Sequence, residues 1–74
     1  MSHAQLDARR LMCPLPVIRT QNRAKTLASG DTLEIICTDP GARQDIPAWC
    51  RVHGHRVLGI EERDKELFIT IEIS

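Results

Sequence analysis

The chain has 74 residues, 42% hydrophobic and 27% charged, which is ordinary globular usage and excludes a disordered chain. That length supports one compact domain over residues 1–74 and leaves no room for a second core or a cofactor-sized cleft with its lid. Ten Lys and Arg balance ten Asp and Glu, and Trp49 and Phe68 are the only large aromatics, so a nucleic-acid binder built on basic excess or base stacking is disfavoured.

Residues 5–9 alternate weakly and predict a short first strand. Leu11-Met12-Cys13-Pro14-Leu15-Pro16 stops it. A helix is expected from Pro14 to about Ala28, with both prolines in the first turn, where backbone N–H groups have no intrahelical partner. Val17, Ala24, Leu27 and Ala28 follow the spacing of one buried face, and Gly30 is placed to end the helix. Residues 32–38 predict a strand with Leu33, Ile35 and Cys37 on its core face. A second helix is expected after Asp39-Pro40, running to His53 and closed by Gly54. Pro47 predicts a break in it: a short first turn, then a restart capped by Asp45.

Residues 57–62 and 67–73 predict the last two strands, joined through Arg63-Asp64-Lys65. The order βαβαββ implies an α+β fold, a two-layer α/β sandwich of a four-stranded mixed sheet with both helices packed on one face. Ile36 and Phe68 point outward in this pattern and suggest that the other face is partly apolar.

Charge is distributed unevenly. Residues 1–30 carry five basic side chains against Asp7 alone, whereas residues 31–74 carry nine carboxylates against five cations. Cys13 stands within the basic segment at the mouth of the first helix. Partial positive charge and free N–H groups at a helix N-terminus stabilise a thiolate, and Arg9 and Arg10 lie just upstream. A lowered thiol pKa is therefore expected, although two prolines remove two amide donors. The plainer alternative is a small apolar residue at a strand–helix junction.

Strand, Cys13-Pro14-Leu15-Pro16 and basic helix together resemble the TusA (SirA-like) family of sulfur carrier proteins. Leu6-Asp7-Ala8 before the motif, then Gly30-Asp31-Thr32-Leu33, Thr38-Asp39-Pro40, Asp45-Ile46-Pro47, Trp49 and Cys50, match the family's later blocks in order. The likeness runs from about Leu6 to Ile73. The chain departs from the family at Arg9-Arg10, where members often carry Gly. The resemblance implies the same βαβαββ sandwich and a catalytic Cys13 that accepts sulfane sulfur as a persulfide and passes it to an acceptor cysteine. A cysteine desulfurase or rhodanese-type sulfurtransferase would be the donor. Cysteine-bearing relay proteins feeding tRNA thiolation, cofactor biosynthesis or sulfur oxidation would be acceptors. Such a carrier acts stoichiometrically and uses no cofactor.

Cys37 reads as core, and Cys50 as core or as a second, resolving thiol. Three cysteines without paired spacing make a poor disulfide framework. His53 and His55 flank Gly54 without metal-ligand spacing and read as solvated, so no metal is expected. Asp39 and Asp45 read as helix caps. Arg19, Arg23 and Lys25 form a solvated stripe or steer Cys13 onto acidic partner surfaces. No membrane span or leader is legible and the cysteines are unpaired in spacing, which predicts a cytoplasmic protein; the small core and possible apolar patch permit a monomer or a weak dimer. The rival class is a non-catalytic module binding RNA or a regulatory protein through the open sheet face, and a redox pair of Cys13 with Cys50 is a third.

Overall fold

The computed structural model describes residues 2–74. The elements are β1 (His3–Ala8), α1 (Leu15–Ala24), β2 (Thr32–Cys37), α2 (Ala42–His53), β3 (Arg56–Arg63) and β4 (Glu66–Glu72). They build one four-stranded mixed sheet in the order β1-β2-β4-β3. β1 and β2 are parallel, and β4 runs antiparallel to both of its neighbours.

Period-two alternation decides which face is buried. Leu33, Ile35 and Cys37 of β2 and Leu67, Ile69 and Ile71 of β4 point inward and are buried, joined by Ala8, Ala42, Ile46, Cys50 and Ile73. The outward-facing Ile36 and Phe68 stand opposite each other across β2 and β4. The Arg63 guanidinium lies 4.2 Å from the Phe68 ring centre, so the expected apolar patch shrinks to one cross-strand pair under a cation.

Both helices differ from expectation in an explicable way. α1 ends at Ala24, not near Ala28, and Gly30 does not terminate it. Beyond Ala24 the chain tightens into three-residue turns, Thr26 N–H to Arg23 C=O and Leu27 N–H to Ala24 C=O. The Thr26 hydroxyl also donates to the Arg23 carbonyl, a local bond that competes with helical continuation. Its fully buried residues are Pro16 and Thr20, with Val17, Ala24 and Leu27 half-buried and Ala28 exposed. Thr20 meets the cost of burial by donating to the Pro16 carbonyl at 2.7 Å.

α2 is continuous through Pro47. An interior proline costs about 3 kcal/mol, but each large aliphatic side chain buried returns about 1.5–3 kcal/mol. Ala42, Ile46 and Cys50 form a buried stripe at four-residue spacing that straddles the proline, so packing carries the helix across it. Gly54 ends it as expected, at φ 80°, donating its N–H to the Cys50 carbonyl.

The strand directions fix what meets where. β3 runs parallel to β1 and β2, because both β2 and β3 oppose β4. α1 and α2 are return connections between such strands, so both helices begin at the same end of the sheet, the end reached by the last residues of β1 and β2.

Candidate functional site

Cys13 sits in the loop between β1 and α1, exposed, while Cys37 and Cys50 are buried at 0% and 1% relative exposure. All three are free thiols. Arg10 turns this loop at φ 67°, in the left-handed region that glycine adopts without strain. The Cys13–Pro14 bond is cis.

The thiol does not face the surroundings expected from sequence. The first-turn N–H groups of α1 are already engaged: Leu15 donates to the Met12 carbonyl at 2.8 Å, and Val17 and Ile18 to the Pro14 carbonyl at 3.1 Å. Pro14 and Pro16 have none to offer. No amide of that turn is left to solvate a thiolate. Arg9 is likewise directed elsewhere, onto Asp7 at 2.9 Å and Glu66 at 3.5 Å. Arg10 lines a hollow of about 390 Å³ with Asp7, Arg9, Thr38 and Glu66.

Two carboxylates take the place of those cations. Cys13 N–H donates to Asp39 Oδ2 at 2.8 Å, and Cys13 Sγ donates to Asp45 Oδ2 at 2.7 Å. Asp39 follows β2, and Asp45 lies in the first turn of α2. Both lean over Gly41, where an added Cβ would stand 3.6 Å from one and 3.7 Å from the other. α2 begins at Ala42 with Gly41 as its N-cap and no side-chain cap. Asp39 reaches only the turn before it, its Oδ1 accepting the Gly41 N–H at 3.4 Å, and Asp45 caps no restart because the helix is unbroken. The hydrogen bond to Asp45 raises the Cys13 pKa, with smaller contributions from desolvation and from the charges of Asp45 and Asp39. This reverses the lowered pKa expected from a helix N-terminus.

Near Cys13 in the chain, Met12, Leu15 and Ile18 give an exposed apolar rim, and Arg19 and Arg23 follow along α1. Cys50 is enclosed in the core rather than presented beside Cys13. His53 and His55 are not simply solvated: their rings lie 5.1 and 5.0 Å from Trp49. His55 Nδ1 accepts the Ser74 N–H, and burial lowers its pKa. Among the described residues, no three His, Cys, Asp or Glu side chains are grouped as metal ligands. No helix among the described residues is long and apolar enough to cross a membrane.

The sequence singles out Cys13 but assigns Asp39 and Asp45, which contact it, to helix capping. A signal was available. Asp39 and Asp45 flank the start of α2, and a parallel β1–β2 pair brings that start to the same sheet end as Cys13.

Comparison with known proteins agrees with this architecture. The family model of sulfurtransferase TusA matches residues 4–73. The sulfur carrier protein TusA of Pseudomonas entomophila (strain L48) is 46% identical over 59 residues, 80% of this chain and 74% of that protein. TusA of Pseudomonas putida (strain GB-1) is 44% identical with the same coverage. Protein YrkF of Bacillus subtilis (strain 168) is 46% identical over 56 residues, and the matched stretch makes up 30% of YrkF. The crystal structure of a SirA-like protein from Desulfitobacterium hafniense superposes with a TM-score of 0.84, covering 93% of this chain and 95% of that one at 24% identity. That likeness concerns the fold.

Proposed function

The chain belongs to the sulfurtransferase TusA family of sulfur carrier proteins, and on that premise we propose that Cys13 carries sulfane sulfur as a persulfide. One observation carries the reading: of the three thiols, Cys13 is exposed and the other two are sealed in the core. Loading is attack by the Cys13 thiolate on the outer sulfur of a donor persulfide. A Cys13 S–S bond forms, the donor's S–S bond breaks, and the donor sulfur leaves as a thiolate. Delivery repeats the step, with an acceptor thiolate attacking the outer sulfur on Cys13 and Cys13 leaving. No external oxidant or reductant enters either exchange.

A cysteine desulfurase or a rhodanese-type protein suits the donor role, and a cysteine-bearing relay protein the acceptor role. The apolar rim of Met12, Leu15 and Ile18 beside Arg19 and Arg23 suits transient docking against a partner with an acidic margin. The pathways compatible with this chemistry are tRNA thiolation, cofactor biosynthesis and sulfur oxidation. A reducing, cytoplasmic compartment fits three unpaired thiols. The RNA-binding reading gains no support from the open sheet face, where Asp7, Glu34, Glu61, Glu66 and Glu72 would oppose phosphate.

The test is intact mass measurement after incubation with a cysteine desulfurase and cysteine, followed by peptide mapping. The expected result is one reductant-labile sulfur on Cys13, and none on a folded Cys13→Ser variant. Equal loading of Cys13→Ser would overturn the assignment.

A further inference from the structure

Cys13 is held from two sides by groups from a different part of the chain. Asp39 fixes its backbone N–H at 2.8 Å, and Asp45 receives its thiol hydrogen at 2.7 Å. We propose that Asp45 is a positioning residue that keeps the empty carrier's Cys13 as a protonated, oriented thiol and so restrains its nucleophilicity until a partner docks. This rests on the sulfur-carrier reading and describes the regulation of that same site.

The physical argument concerns which protonation state the neighbours prefer. A carboxylate oxygen accepts a hydrogen bond from S–H and repels S⁻, so losing the thiol proton exchanges an attraction for a repulsion. The direction of the Cys13 shift, upward and caused first by Asp45, agrees with that geometry. The charges acting on the thiol are those of Asp45 from α2 and Asp39 from the segment after β2. From its own loop, Arg9 is turned to Asp7 and to Glu66 of β4, and Arg10 lines the adjoining hollow. α1 offers no charged side chain before Arg19.

Thiolate is the attacking species in sulfur exchange, so its scarcity sets the resting rate. The free carrier is then slow toward adventitious electrophiles although Cys13 is exposed to them. Docking that separates Asp45 Oδ2 from Sγ removes the restraint at the moment of transfer.

Iodoacetamide alkylation of Cys13, followed by peptide mapping against pH, tests this without any sulfur donor. The proteins compared are wild type, Asp45→Asn and Asp45→Glu, each first shown to be folded by circular dichroism and a thermal melt. The expected result for Asp45→Asn is a lower rate midpoint and alkylation at pH 7.5 faster by roughly three- to tenfold, the gain in thiolate being partly offset by the lower nucleophilicity of a more acidic thiol. Asp45→Glu should restore a wild-type profile. A folded Asp45→Asn protein with the wild-type midpoint and rate would overturn the proposal. Because alkylation and sulfur loading are measured separately, failure of Cys13 to accept sulfur would count against the functional reading, and an unshifted profile against Asp45.

Discussion

Arg10 and Cys13 show how much depends on single residues in the loop after β1. Arg10 occupies φ 67° with a Cβ, a conformation costing a non-glycine residue about 1–2 kcal/mol, against the smaller entropy that a glycine would lose on folding. Arg10→Gly is therefore expected to raise stability by about 0.5–1 kcal/mol, read as a higher urea midpoint at unchanged slope. A lower midpoint would show that the Arg10 side chain contributes more than its backbone costs. The same loop explains why the chemistry at Cys13 could not be anticipated from neighbours in sequence. Sequence proximity placed Arg9 beside the cysteine, but Arg9 finds a better partner two residues back, with Asp7 accepting from both its Nε and its backbone N–H. Asp7 is held down to about 2 by that contact. The residues that bear on the thiol, Asp39 and Asp45, are 26 and 32 positions away.

Among the elements, strands were more legible than helix ends. Alternation in residues 33–37 and 67–73 specifies both the strand and its buried face, because a one-residue slip would expose Ile35 and Ile69 together. Helix boundaries depend on competition between individual hydrogen bonds. Thr26 shortens α1 by taking the Arg23 carbonyl, whereas Pro47 fails to break α2 because Ile46 and Cys50 are packed on either side of it. Neither outcome follows from propensity alone. The β3–β4 connection is another local contest: Asp64 and Lys65 both adopt positive φ, 50° and 65°, as a two-residue hairpin of the right twist requires. Lys65→Gly should satisfy that turn with less strain and raise the thermal midpoint by about 2–8 °C, corresponding to roughly 0.5–1 kcal/mol in a domain of this size. A fall in midpoint would mean that Lys65 has contacts outweighing its backbone conformation. β3 itself carries a register shift between Val57 and Gly59, a bulge that a pattern of alternating residues does not reveal.

At the scale of the whole molecule, the sealed thiols make stability depend on alkaline pH. Burial pushes Cys37 and Cys50 up to about 11 in the folded chain, above the ordinary thiol value of roughly 8.5. Below that value both states are protonated and the contribution is complete. Between about 8.5 and 11 the unfolded chain loses protons that the folded chain keeps, so stability falls as pH rises, by up to about 3 kcal/mol per thiol. Urea titrations at intervals from pH 8 to 11 should show this decline, and a Cys37→Ala, Cys50→Ala double variant should show a flatter one from a lower start. Equal slopes would assign the alkaline loss to other groups. The strand register also gives the molecule two unlike poles. Ala8, Cys37, Leu67 and Glu62 lie on the rung nearest Cys13, whereas His3, Thr32, Glu72 and Arg56 lie on the far one. Ser2 and Ile73 are both tied to the Gly30-Asp31 turn at that far pole, through Asp31 Oδ1, Gly30 N–H and Asp31 C=O. Any linker leaving from residue 2 or residue 74 therefore departs from the side opposite Cys13. The same body can stand free or sit at the end of a tethering segment, with Cys13 facing away from the attachment in both settings.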